Sequence, residues 1–175
     1  EMAGTGDVAV RGDRIVAAGE APGQARREID AKGDAVAPGF IDLHNHTDEL
    51  YRMLPGWLPL PGRLHDNRNY LTQGVTTIVG GNCGVSAFPV TDLTLADDAK
   101  GLKEDYGLEL TWRDLDGFFA ALAERGHAIN YATLVGQGTL RAAAMGFNDR
   151  TPTDAELALM KSLAARAMEQ GAVGL

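Results

Sequence analysis

From Pro38 onward, short apolar runs alternate with longer segments of helical character, and this alternation limits the folds open to the chain. The apolar runs are strand candidates at residues 40–46, 75–80, 130–135 and 172–175. The helix candidates lie between them, at residues 64–73, 112–125 and 152–170. Strands that alternate with helices predict an α/β fold built on a parallel sheet.

Two of the helix candidates begin with capping signals. Residues 111–114 and 151–154 each place a threonine and an aspartate at the expected helix start, and Pro152 is predicted at the first helical position. Within the last helix, apolar residues recur at helical spacing, which predicts a buried stripe made of Leu157, Met160, Leu163 and Ala167.

The first 36 residues follow a different pattern. Short β-type runs at 7–10 and 14–18 flank Gly12 and Asp13, which predicts a hairpin of a small sheet. We therefore predict two domains, part of a small β-domain at residues 1–36 and a larger α/β domain at residues 37–175.

Composition excludes several classes of protein. With 16 basic and 24 acidic side chains the net charge is −8, so a nucleic-acid partner is not expected. The least charged stretch, residues 71–91, is interrupted by glycines and a proline and makes a poor membrane span, so no membrane partner is expected. Cys83 is the only cysteine, which favours a reducing compartment and predicts a cytoplasmic location.

Two histidines close the first strand candidate of the larger domain. Because strand side chains alternate between faces, His44 and His46 are expected on one side, with Cα atoms roughly 6.6 Å apart. Two imidazoles at this spacing can bind one zinc ion. The alternative is a pair of histidines at an exposed strand end. Their position after the Pro38-Gly39 turn favours metal, because parallel barrels place ligands at the carboxyl ends of their strands.

The next strand candidate ends in a glycine-rich turn that contains Cys83. The turn runs Gly80-Gly81-Asn82-Cys83-Gly84, and a thiolate there could also bind zinc. The alternative is a buried, inert cysteine, although such residues normally lie within apolar runs. A phosphate-binding loop is discounted because no Gly-Lys-Ser/Thr follows.

Long connections follow two of the strand candidates. One covers residues 47–63, and the other covers residues 85–110 and is rich in acidic residues. Both exceed the usual length in α/β units and leave from the strand ends where active sites form. The second is expected to be either a solvated surface loop or a lid over a substrate.

Four segments together carry a resemblance to a known family. Ala37-Pro-Gly-Phe-Ile-Asp-Leu-His-Asn-His-Thr-Asp48 resembles the first barrel strand of the amidohydrolase superfamily. Residues 74–86, 130–141 and 169–175 resemble the N-acyl-D-amino-acid deacylases, or D-aminoacylases, within it. The histidine motif is shared by many amidohydrolases, whereas a cysteine at the end of the second strand is more specific to this branch.

The resemblance implies a role for each matched residue. His44 and His46 are expected to bind metal, and Cys83 is expected to bind one ion or to bridge two, so that the cofactor is one or two Zn²⁺ ions. Asp42 and Asp48 are expected to be supporting residues, with Asp42 placed to orient an imidazole, although alternation alone leaves Asp48 as a further ligand. His65 and His127 receive no catalytic role. No catalytic residue is assigned within this segment, because the family's general acid/base is an aspartate of the last strand.

The resemblance also implies a fold and an activity. We expect the first half of a metal-dependent (β/α)8 TIM barrel, preceded by part of a small β-sandwich, because residues 38–175 fall well short of the roughly 250 residues of a barrel. The remainder of the barrel, or another chain, is the expected macromolecular partner. The expected activity of the full-length protein is zinc-dependent cleavage of the amide bond of N-acyl-D-amino acids, while the isolated segment is expected to be inactive. Hydrolysis of another amide or cyclic amide, and a non-catalytic fragment, are the alternatives.

Overall fold

A computed structural model describes residues 4–47, 68–125 and 127–175. The chain divides into two compact units, residues 1–38 and 39–175. None of the described helices is both long and apolar enough to cross a membrane.

The first unit contains the predicted hairpin. Strands β1 (Asp7–Arg11) and β2 (Arg14–Gly19) pair antiparallel, with Arg11 opposite Arg14. The connection is two residues long, and its Gly12 adopts a positive φ of 64°, which glycine does without steric penalty. Assignment of this unit to a β-sandwich stays a prediction.

The second unit is built on a parallel sheet, as the strand and helix alternation predicts. Strands β3 (Phe40–Asp42), β4 (Val75–Gly80) and β5 (Asn130–Thr133) pair in the order β3-β4-β5, so β4 is central. The predicted strand at 172–175 is not formed in the structure. Its backbone nevertheless lies along β5, since the amide of Val173 donates to Thr133 and the amide of Val135 donates to Gly174, both at 2.9 Å.

Five helices surround this sheet in the described part of the second unit. They are α1 (Arg68–Leu71), α2 (Leu95–Tyr106), α3 (Leu115–Arg125), α4 (Gln137–Met145) and α5 (Asp154–Glu169). Helices α3 and α5 correspond to predicted helices, and the described part of a third prediction, 64–73, contains α1. Helix α2 corrects the prediction of an irregular connection at 85–110, and α4 was not predicted.

Helix α5 begins two residues later than expected. Thr153 is the N-cap, and it forms a capping box in which its hydroxyl accepts from the amide of Glu156 while the Glu156 carboxylate accepts from the amide of Thr153. Pro152 therefore lies before the helix rather than at its first position. Of the predicted stripe, Ala167 is buried and Leu163 packs on the core, whereas Leu157 is exposed.

The core lies where α3 and α5 meet the segment that follows β4. Phe118 is fully buried and makes ring contacts with Phe88 and Trp112. The Trp112 indole N–H donates to the carbonyl of Ala87 at 2.9 Å, so its polar atom is satisfied inside the core. This packing holds the segment after β4, which includes Cys83, against the helices.

Candidate metal centre

The structure brings all three predicted ligands together. His44 and His46 follow β3, and Cys83 lies in a short 3₁₀ turn, Asn82–Gly84, that follows β4. The Nε2 atom of His44 lies 3.3 Å from Cys83 Sγ, and the Nε2 atom of His46 lies 3.5 Å from the same sulfur. The three potential ligand atoms all lie within 4.8 Å of one another.

The route by which the histidines converge differs from the prediction. Strand β3 ends at Asp42, so both histidines lie beyond the strand and its alternation does not set their direction. The reason is local: Asp42 Oδ1 accepts a hydrogen bond from the backbone amide of His44 at 3.1 Å, which turns the chain away from the ladder. Asp42 therefore accepts a hydrogen bond from the backbone of His44, whereas the sequence predicts that Asp42 orients an imidazole ring.

The residue between the two histidines is an anchor. Asn45 is only 5% exposed, and its side-chain amide donates to the carbonyl of Val79 at 3.0 Å and to that of Asp42 at 3.3 Å. Its Oδ1 accepts from the hydroxyl of Thr47 at 2.6 Å and from the Thr47 amide at 3.3 Å. The histidines are therefore attached on either side of a buried, hydrogen-bonded residue.

Cys83 has an unusual backbone conformation. Its φ and ψ are 54° and 26°, in the left-handed region, which costs a non-glycine residue about 1–2 kcal/mol. Gly81 and Gly84 on either side also have positive φ values, of 77° and 79°. A Cβ atom on Gly81 would overlap the carbonyl oxygen of Leu134, so this position requires glycine both for conformation and for space.

Asn82 secures the start of this turn. Its side-chain amide donates to the carbonyl of Val79 at 2.7 Å and to the carbonyl of Asn45 at 3.1 Å. Two segments far apart in sequence are thereby joined beside the three ligand atoms.

The far side of the turn rests on the start of α4. The amide of Ser86 donates to Thr139 Oγ1, and the amide of Gly136 donates to Ser86 Oγ, both at 2.9 Å. A Cβ atom on Gly136 would overlap the carbonyl oxygen of Gly84, so the two backbones touch here. The roles of Ser86, of Thr139 and of the two asparagines were not predicted from the sequence. The two asparagines could have been identified from their positions in the sequence, because Asn45 lies between the two histidines and Asn82 lies beside the cysteine.

The donor set fits a zinc ion. Two imidazole nitrogens and one thiolate sulfur are ligands that zinc prefers, and tetrahedral zinc places its nitrogen and sulfur ligands about 3.6 Å apart, close to the observed 3.3 and 3.5 Å. Cys83 is exposed among the described residues.

Among the residues that the structure describes, His127 is not part of this cluster. His127 is exposed, and its Nδ1 lies 2.7 Å from the carbonyl oxygen of Ile129. Asp48, His65 and most of the connection at 47–63 lie outside the described residues. Burial and, to a smaller extent, the charge of Asp42 raise the pKa of Tyr70.

Comparisons with known proteins show the family to which this chain belongs. The sequence model described as the amidohydrolase family matches residues 27–175. The N-acyl-D-aspartate deacylase of Alcaligenes xylosoxydans xylosoxydans is 42% identical over 97% of this chain and 32% of its own length, and the D-aminoacylase of the same organism is 39% identical over 97% and 33%. The chain thus spans about a third of the length of these curated relatives.

A solved structure is also similar to this chain in both fold and sequence. The N-acyl-D-glutamate deacylase from Bordetella bronchiseptica, complexed with zinc and a phosphonate inhibitor, superposes with a TM-score of 0.72 at 41% identity, covering 92% of this chain and 31% of that one. This chain has the α/β content of an amidohydrolase-type fold, and it belongs to the amidohydrolase family.

Proposed function

We propose that the whole protein is a zinc-dependent hydrolase that cleaves the amide bond of N-acyl-D-amino acids. The observation that carries this proposal is the convergence of His44, His46 and Cys83 at the carboxyl ends of two adjacent parallel strands. Similarity to an N-acyl-D-aspartate deacylase and to a zinc-containing N-acyl-D-glutamate deacylase supports the substrate class and the metal.

In the proposed architecture, residues 37–175 are the first half of a (β/α)8 barrel and residues 1–36 are part of a small β-sandwich. The position of β3 at the sheet edge supports this architecture, because its Phe40 and Ile41 are 65% and 60% exposed. Apolar side chains on an edge strand need a covering element, which further barrel strands or another chain would supply.

Metal binding and proton transfer are assigned to different residues in the proposed reaction. His44 and His46 would bind the metal through Nε2, and Cys83 would bind it as a thiolate. When bound, zinc supplies a Lewis acid that polarises the scissile carbonyl and lowers the pKa of an attacking water. Proton transfer is assigned to an aspartate of a later barrel strand, so the proposed role of His44, His46 and Cys83 is to bind the metal. A cytoplasmic location remains part of the proposal, supported by the lone cysteine.

The test uses the full-length protein with Cys83→Ala and His44→Ala, and with His127→Ala as a histidine control outside the cluster. Purified proteins are assayed for release of free amino acid from the N-acetyl forms of D- and L-aspartate, glutamate and leucine, and bound zinc is measured by elemental analysis. We expect the parent and H127A to cleave D-substrates and retain zinc, and C83A and H44A to lose both properties.

Unchanged turnover and zinc content in C83A would overturn the site assignment. Hydrolysis confined to cyclic amides would overturn the substrate class while leaving the metal centre in place.

A further inference from the structure

We propose that Asn45 and Asn82 are positioning residues, a pair of buried amides that holds the three donor atoms together before any metal binds. This inference rests on the proposed function, because it assigns how the proposed zinc site is built. Neither asparagine supplies one of the three donor atoms, and both act through the residues beside them.

The pair converges on one acceptor. The carbonyl oxygen of Val79, near the end of the central strand β4, accepts from Asn82 at 2.7 Å and from Asn45 at 3.0 Å. Asn82 also donates to the carbonyl of Asn45 at 3.1 Å. The peptide between the two histidines and the residue before Cys83 are thus attached to the same point of the sheet.

Both asparagines are buried, so the loss of their hydrogen bonds would leave buried polar groups without partners. Asn45 is 5% and Asn82 is 8% exposed, so water has little access to replace a lost partner. Only asparagine supplies two N–H donors on so short a side chain, and each of the two amides donates to two carbonyls. Removal of either amide would leave the Val79 carbonyl with one donor fewer and would separate the segment after β3 from the turn after β4.

The same pair accounts for the backbone of Cys83. Its left-handed conformation is unfavourable for a cysteine and must be imposed by its neighbours. Asn82, the residue immediately before Cys83, is fixed by its hydrogen bond to the carbonyl of Val79. Gly84, the residue immediately after Cys83, packs against the start of α4. The sulfur lies 3.3 Å from the Nε2 atom of His44 and 3.5 Å from that of His46, and the side-chain hydrogen bonds on either side of the turn support this position.

The experiment uses the full-length protein with Asn82→Leu and Asn45→Leu. Leucine keeps the branched shape and removes the donors without adding a charge. The control is Asn130→Leu, because the Asn130 amide also joins two strands, donating to the carbonyl of Thr76 at 3.0 Å near the opposite end of β4. Zinc affinity is measured by competition with a chromophoric chelator, and the thiolate-to-metal absorption band is recorded with Co²⁺.

We expect zinc affinity to fall roughly 10–100-fold in N82L and N45L, with a weakened thiolate band, and to stay within about twofold of the parent in N130L. Crystal structures of the metal-free proteins should show Cys83 Sγ displaced from both Nε2 atoms in N82L but not in N130L. If N82L does not fold, Thr47→Val removes only the hydroxyl that donates to Asn45 Oδ1, and should weaken zinc binding roughly fivefold.

Parental affinity, thiolate band and metal-free geometry in folded N82L would overturn the inference, as would an equal loss in N130L. A parent that binds metal with a thiolate band but cleaves no N-acyl-D-amino acid would instead overturn the proposed function and leave the positioning role intact. A parent that binds no metal would overturn the proposed metal centre, and the metal-free geometry of N82L would still decide whether the amides position the donors.

Discussion

At the scale of single residues, the site depends on backbone conformations that few side chains adopt. Cys83 is held in the left-handed region between two glycines that also have positive φ. The donor types could be predicted, because histidine and cysteine at strand ends have a recognisable chemistry. The conformation of Cys83 could not, because it depends on contacts of Asn82 with Asn45 and of Gly81 with Leu134, which are distant in sequence.

Replacement of Gly81 by alanine should therefore disrupt the turn. The new Cβ would overlap the carbonyl oxygen of Leu134, and the φ of 77° would be strained, so we expect a loss of at least about 1 kcal/mol in unfolding free energy and weakened zinc binding. Thermal unfolding and zinc competition measure both effects. The control is Gly101→Ala in α2, where a Cβ meets no atom within 4 Å and where alanine should stabilise by about 0.5–1 kcal/mol. Equal behaviour of the two variants would contradict the account of this turn.

At the scale of secondary structure, the predictable elements are those whose determinants are local. Helix α5 has its capping box in the sequence, and β4 and β5 are short apolar runs. Helix α4 is only nine residues long and has no side-chain cap and no acidic residue in its first turn, so it lacks the local start signals that predict α5. Strand β3 is shorter than its apolar run because the side chain of Asp42 competes for the backbone of His44.

The capping box of α5 gives a pH-dependent prediction. Hydrogen bonds from Arg150, and then those from Thr153, lower the pKa of Glu156 from its ordinary value of 4.5 to about 2. Because the folded pKa is lowered, the carboxylate stabilises the protein fully above the unfolded pKa, and this stabilisation is lost as the pH falls from about 4.5 toward 2. Glu156→Gln should lower the melting temperature at pH 7, and the difference from the parent should shrink across that interval.

Thr153→Ala should cost about 1 kcal/mol through loss of the cap, measured by denaturant unfolding at pH 7. Glu169→Gln, at the other end of the same helix, serves as the control and should show no loss. A difference between E156Q and the parent that stays constant down to pH 2 would contradict the role given to the carboxylate.

At the scale of the whole molecule, the parallel sheet explains how a site can be assembled from a small part of the sequence. Adjacent strands β3 and β4 end at the same edge of the sheet. His46 and His44 therefore lie close to Cys83, although they are 37 and 39 residues from it in the sequence. This meeting was predictable from the strand order of a parallel fold. The way in which the donors are held was not, because it depends on buried asparagines whose partners appear only in three dimensions.

The central claim is that His44, His46 and Cys83 form one zinc centre, and X-ray absorption at the zinc edge of the zinc-loaded full-length protein tests it most directly. We predict one sulfur scatterer at about 2.3 Å together with nitrogen or oxygen scatterers at about 2.0–2.1 Å. A coordination shell of nitrogen and oxygen alone in the parent protein would contradict the claim.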